Sequence, residues 1–311
     1  MSLWLPLSII GMWTLTAILS PVLPLTPDAI DLTNILSGPN LEHWLGCDEL
    51  GRPVADRLMF GARTSFFVSL CVVVLGVSVG GILGVSSAYL SGWVDLAFVR
   101  VVDIMLAFPG LLLAIALAGA LGPGIGNVIL ALGIVGWVGY ARLARGQVLA
   151  LKQADHVLAA QAIGAPPWRI ILRHLLPLIT APLIVEASFG VASAIIAEAG
   201  LSFLGLGVQP PTASWGSMIR DGTRYMLVAP HLVVFPGLTL MAVVLAANML
   251  GDWLRDRLDV KHQSARNFSW CMANSVRQKG DCEFMIPSHH CPYGFNKRGK
   301  FPCLSGFVFF F

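Results

Sequence analysis

Glu186 falls inside the run Leu175 to Ile196, which otherwise holds no ionisable residue, and Glu198 lies just past its end. If such a run lies in lipid, a carboxylate within it costs on the order of 2.5 to 3.5 kcal/mol on insertion scales and is usually turned inward or paired. Glu186 could face a substrate path and attract a cationic or amino-terminal group, or it could hydrogen-bond across a helix interface. Glu198 is expected to be reached by water or to cap, with a pathway role as its alternative. Asp48 and Arg52 can pair, or cap a turn made by Gly46 and Gly51; Arg100 and Asp103, three apart, can pair locally, with Asp95 in the preceding turn.

Other chemistry lacks its residues. No Gly-x4-Gly-Lys-Ser/Thr phosphate loop, His-Glu-x-x-His metal site or intramembrane carboxylate pair occurs, so no catalytic residue and no ATP hydrolysis are expected of this chain. Cys271, Cys282, His289, His290, Cys291 and Cys303 crowd the end of the chain, but without the paired Cys-x2-Cys spacing that marks zinc. No metal site is expected.

The elements that must position these residues are apolar. The 311 residues are 56% hydrophobic and 12% charged, where a soluble domain carries about 25% charge. A helix needs roughly 20 predominantly apolar residues to cross a bilayer. Six runs qualify: Leu3 to Leu25, Ser65 to Leu90, Ile104 to Leu121, Ile125 to Ala141, Leu175 to Ile196, and Leu232 to Leu250. Soluble helices keep a polar stripe, and Phe66 to Leu90 has none. The expectation is an all-α polytopic membrane protein of about six transmembrane helices, with the lipid bilayer as its solvent and no nucleic acid partner. The first run lacks a basic n-region and exceeds the roughly 7 to 15 residues of a signal-peptide core, so it reads as a retained helix. Cys47 and Cys71 are the only cysteines of the first 261 residues, and no disulfide framework is expected there.

Lys and Arg in short loops favour the cytoplasm. Arg142, Arg145, Lys152, Arg169 and Arg173 put the loop 142–177 inside, which places both termini inside and the loops around 24–63 and 200–231 outside. The membrane part is 1–261, and 262–311, where composition changes, is an atypical extension to which no role is attached. Small residues of the second run, Gly76, Gly80, Gly81 and Gly84 among them, suit close helix contact, with lining a pathway as the alternative.

Loop 142–177 contains Ala154-Asp-His-Val-Leu-Ala-Ala-Gln-Ala-Ile-Gly164 and then Ala165-Pro-Pro-Trp-Arg-Ile-Ile-Leu-Arg-His-Leu-Leu-Pro177. These read as two short helices hinged at a glycine. Asp155 is expected as an N-cap, Gly164 as the positive-φ residue that ends the first helix, and Pro166 and Pro167 as the first turn of the second. Val157, Leu158 and Ile163 are available to dock into a groove on a soluble partner.

Ala159-Ala160, then Gly164, then Leu176-Pro177, resembles the EAA motif of ABC-importer permeases, with Leu158 where the family's glutamate usually stands. His43 to Arg63, built on Gly46, Asp48, Gly51 and Arg52, resembles the outer-loop signature of dipeptide, oligopeptide and nickel permeases of the second-subunit type. It has Cys47 in place of the more usual threonine and Pro53 in place of aspartate. Glu198 to Met218 and Gly251 to Asp259 resemble the same family, so the similarity covers roughly residues 1 to 261. The irregular Gly205 to Pro211 is expected to border a translocation mouth.

The resemblance implies a bacterial inner-membrane importer subunit that pairs with a homologous permease subunit and receives substrate from an extracytoplasmic substrate-binding protein. It implies that Asp155, Leu158, Ala159, Ala160, Gly164 and Pro177 belong to a coupling loop seated on one of two ATPase subunits. ATP and Mg would sit on those partners, and no cofactor on this chain. Dipeptides, oligopeptides and nickel fit the family; the absence of a His or Cys cluster in the membrane part favours peptide. A passive channel, working without ATPase partners, and a membrane-embedded enzyme are the rivals from other classes.

Overall fold

A computed structural model describes residues 3–258. The extension 262–311, with its Cys and His residues, lies outside the described residues, as does Asp259. Helices dominate: α1 (Trp4–Leu19), α2 (Val54–Leu90), α3 (Gly92–Leu106), α4 (Gly110–Leu121), α5 (Ile125–Leu151), α6 (Asp155–Ala162), α7 (Pro167–Ile170), α8 (Leu176–Phe203), α9 (Trp215–Thr223) and α10 (His231–Leu258). A π-helical turn, Ile171–Leu175, joins α7 to α8, so that the chain is helical from Pro167 to Phe203. The described residues contain no strand, only an isolated bridge between Cys47 and Pro53.

All six apolar runs are helical, but not all as single spans. Four helices, those containing α2, α5, α8 and α10, are long and apolar enough to cross a membrane. The third run is broken: α3 and α4 meet at 84°. Pro109 explains the break, since it has no N–H to donate and disfavours helical geometry at Phe108 before it; its own ψ is 120°. The first run yields only the 16 residues of α1, about 24 Å, because Pro21 and Pro24 follow.

Three other expected boundaries move outward. Helix α2 starts at Val54, not near Ser65, so residues 54–63 of the expected outer loop are helical. Helix α5 runs on to Leu151, shortening the loop 142–177 from its N-terminal side. Helix α8 continues to Phe203 and takes Glu198 inside it. In each case charged or polar residues end the hydropathy signal while the backbone keeps its hydrogen-bond ladder, because helices outlast the apolar stretch that lipid requires.

Helices α2 and α5 pack against each other most extensively. A Cβ at Gly80 would collide with the Trp137 carbonyl, and one at Gly84 with the Ala141 carbonyl; at Gly76 it would come within 2.7 Å of the Tyr140 ring. The small-residue face is thus a helix contact, the close backbone approach on which association in lipid depends. At the end of the helices that carries loop 142–177, one core joins Val85, Tyr140, Val148, Val157, Ile170 and Leu183. At the other end Trp13, Val54, Ile195, Trp215 and Val243 gather α1, α2, α8, α9 and α10. Trp13 Nε1 donates to the Ala62 carbonyl at 3.2 Å and Trp215 Nε1 to that of Leu58 at 3.0 Å, giving each buried indole its polar partner.

Candidate functional site

The loop that should meet a soluble partner is built on the ends of α2 and α5. Helix α6 buries Val157 and Ala160 in the core that joins Val85, Tyr140 and Val148. The opposite face of this short unit is left uncovered: Leu158 is 43% exposed, Ile163 85% and Trp168 60%. Val157, expected to be available for contact, instead anchors the helix from below. Asp155 is not the N-cap either: Ala154 holds that position in extended geometry, and Asp155 is the first helical residue, without a capping bond. It still places a negative charge at a helix N-terminus. Gly164 takes φ +75° and ends α6, Pro166 occupies the N-cap of α7 and Pro167 its first position. Ala159 and Pro177 are exposed.

Charged residues tie this region together across long sequence distances. Arg145 on α5 makes a two-pronged pair with Asp95 on α3, Nε to Oδ1 at 2.6 Å and Nη2 to Oδ2 at 2.8 Å, while Ser87 Oγ donates to Asp95 Oδ1 at 2.8 Å. Lys152 Nζ donates to Ser91 Oγ at 2.7 Å and to the Tyr89 carbonyl at 3.1 Å. Asp95 therefore lies within the first turn of α3 rather than before it. Among the described residues Arg100 and Asp103 form no ion pair.

The stretch 43–63 centres on Asp48. Its Oδ1 accepts from the backbone N–H groups of Leu50 and Arg52, both at 2.9 Å, and its Oδ2 accepts from Arg52 Nε at 2.7 Å. Arg57, one turn into α2 and buried, approaches the same oxygen at 3.4 Å. Gly46 and Gly51 have φ of +79° and +72°; a Cβ at Gly51 would strike the Asp31 carbonyl, and one at Gly46 would lie 2.7 Å from His231 Nε2. Thr33 donates from its hydroxyl and its N–H to Asp31 and holds that carboxyl below the usual range. Cys47 is fully buried, and burial pushes its thiol up from its ordinary value.

The two acidic residues of α8 separate. Glu198 is buried, 1% exposed, and is not solvated as its position in the sequence suggests. Ser65 Oγ on α2 donates to its Oε2 at 3.1 Å and Ser202 Oγ to its Oε1 at 2.7 Å. Both oxygens are thus satisfied within the protein. Above them run the irregular residues 204–213 and α9, whose capping box joins Ser214 and Ser217. Glu186 is exposed, makes no hydrogen bond or ion pair among the described residues, and lines a cavity of about 290 Å³ between α2, α4, α5 and α8.

Residues 56–262 match the family described as binding-protein-dependent transport system inner membrane component. The chain belongs to that family, the inner-membrane permease subunits of ABC importers. Within it the affinity is to the dipeptide, oligopeptide and nickel type. The glutathione transport system permease protein GsiD of Pectobacterium atrosepticum is 42% identical over 234 residues, 75% of this chain and 78% of that protein. GsiD of Escherichia coli O6:K15:H31 is 45% identical over 231 residues, 74% and 76% respectively. A chain of the inward-facing MetNI methionine ABC transporter shares the fold with a TM-score of 0.50 at 17% identity, over 66% of this chain and 95% of that one. The protein is a multi-pass inner-membrane permease subunit of an ABC importer, from a family that works with ATPase and substrate-binding partners.

Proposed function

We propose that this chain forms half of the translocation path of an importer for di- or oligopeptides, the other half being a homologous permease subunit. Two ATPase subunits, holding ATP and Mg, drive it through α6 and α7, and an extracytoplasmic binding protein delivers the substrate. One observation carries the coupling role: α6, anchored by Val157 and Ala160, and α7 after it turn Leu158, Ile163 and Trp168 to solvent beside helices that cross the membrane. An apolar face on a rigid support suits a groove on a soluble partner. A partner shifts a conformational equilibrium only through different affinity for its states, and a helix joined through Ile171–Leu175 directly to α8 can carry such a difference inward. The peptide class draws support from relatives named for glutathione, itself a peptide.

The test is ATP-dependent uptake of a labelled dipeptide, of glutathione and of nickel by vesicles holding the full complex. Leu158→Asp and Ile163→Asp are the informative substitutions, since both side chains are exposed; Ala160 is buried, and a charge there would disturb folding. Uptake that needs ATP and falls at least tenfold in an assembled variant supports coupling, and the transported compound names the class. Uptake indifferent to ATP sinks the importer reading and favours a passive channel.

A further inference from the structure

We infer that Glu186 is the site in the membrane interior that receives the free ammonium group of a peptide in transit; this rests on the importer reading above. Glu186 lies ten residues into α8, about 15 Å along the axis, or near the middle of a hydrocarbon core roughly 30 Å thick. A carboxylate at that depth does not rest against lipid. Its exposed position and its want of a partner among the described residues leave a watery path or a neighbouring subunit as its surroundings.

The cavity decides between them. Its volume of about 290 Å³ is room for a small ligand, and its wall is mixed: Glu186 and Ser193 supply polar atoms, while Val72, Tyr140 and Phe189 supply apolar and aromatic surface. Small residues hold it open. Gly139 stands across from Glu186, its added Cβ 3.8 Å from Oε1, and a Cβ at Gly190 would strike the Tyr140 hydroxyl. Pockets that bind small molecules combine a mainly apolar lining with a few placed polar groups. One carboxylate beside aromatic rings suits a primary ammonium, by charge-assisted hydrogen bond and by attraction to the ring faces. It does not suit a bare divalent cation, which takes several ligands; the described residues contain no group of three acidic, His or Cys side chains that could hold a metal. Glu198, with both oxygens bonded by serines, is not available for this role.

The experiment compares a labelled dipeptide with its N-acetyl form, both first shown to bind the extracytoplasmic binding protein, in vesicles holding the complete complex. Glu186→Gln should slow uptake of the free-amine peptide about tenfold, the scale of one hydrogen bond to a charge, leave the N-acetyl form unaffected, and leave ATP hydrolysis stimulated by the loaded binding protein intact. Glu186→Asp should restore part of the preference. If the Gln variant keeps the wild-type preference for the free amine, or loses uptake of both forms together with stimulated hydrolysis, the ammonium site is refuted and Glu186 is structural. Wild-type vesicles with no ATP-dependent uptake of either form overturn the importer reading, and this inference with it.

Discussion

Asp48 shows how one side chain can organise a loop. It accepts from two backbone N–H groups and from Arg52, and it stands 3.4 Å from the Arg57 guanidinium as an ion pair, so removing it strands the buried Arg52 and Arg57. A buried charge left without its partner costs more than the pair was worth, and Asp48→Ala should destabilise the chain by roughly 2 to 3 kcal/mol, read as a lower Tm of the detergent-solubilised protein. Asp48→Asn keeps an acceptor and should cost less. Cys47 makes a second prediction at this scale. Its thiol is buried and its ionisation raised, and only the thiolate attacks a maleimide. It should stay unlabelled in the folded protein at pH 8 and react fully once the protein is unfolded; labelling of the folded protein would show an open outer loop.

The elements explain what a reader of the sequence could and could not see. Asp48, Arg52 and the two glycines were legible because their contacts lie within a few residues, where spacing alone specifies geometry. The Asp95–Arg145 pair spans 50 positions and depends on how α3 meets α5, which no local pattern encodes. The burial of Glu198 is hidden from the sequence for a different reason: hydropathy falls off after Ile196, while helix α8 runs to Phe203 and carries the carboxylate against Ser65 of α2. The glycine and prolines of loop 142–177 announce themselves through backbone chemistry, but which face of α6 is covered depends on α2 and α5 below it. Packing between α2 and α5 gives the prediction at this scale. Gly84→Leu must push the backbones apart against the Ala141 carbonyl, at a cost of about 3 kcal/mol or more, and should sharply lower the yield of folded protein. Gly92→Ala, where space is open but φ is +62°, should be milder.

Taken as a whole, the molecule has a loop around Cys47 held to α10 by the contact of His231 Nε2 with the Cys47 carbonyl, and a second loop, 152–166, held to α2 and α5, at opposite ends of the same helices. The orientation expected from the basic residues, with loop 142–177 inside, is open to direct measurement. In a background with the native cysteines replaced by serine, Leu41→Cys should react with an impermeant maleimide from outside the cell. Ile163→Cys should react only after the membrane is opened; the reverse pattern would invert the assignment. Both positions are almost fully exposed, 96% and 85%, so failure to label would not reflect burial.

The π-helical turn at Ile171–Leu175 adds one residue to an otherwise α-helical rod running from Pro167 to Phe203. In an α-helix each residue advances the azimuth by about 100°, so that extra residue sets the angular phase between the cytoplasmic loop and the face of α8 that carries Glu186. Deleting one residue from 171–175 should let the rod relax to regular α geometry, leaving the protein folded but with its two working faces out of phase. The expected result is a complex that assembles and hydrolyses ATP without moving substrate. In mechanical terms the turn behaves as a keyway that times a drive shaft: its value lies in alignment, and its loss is felt as slippage rather than breakage.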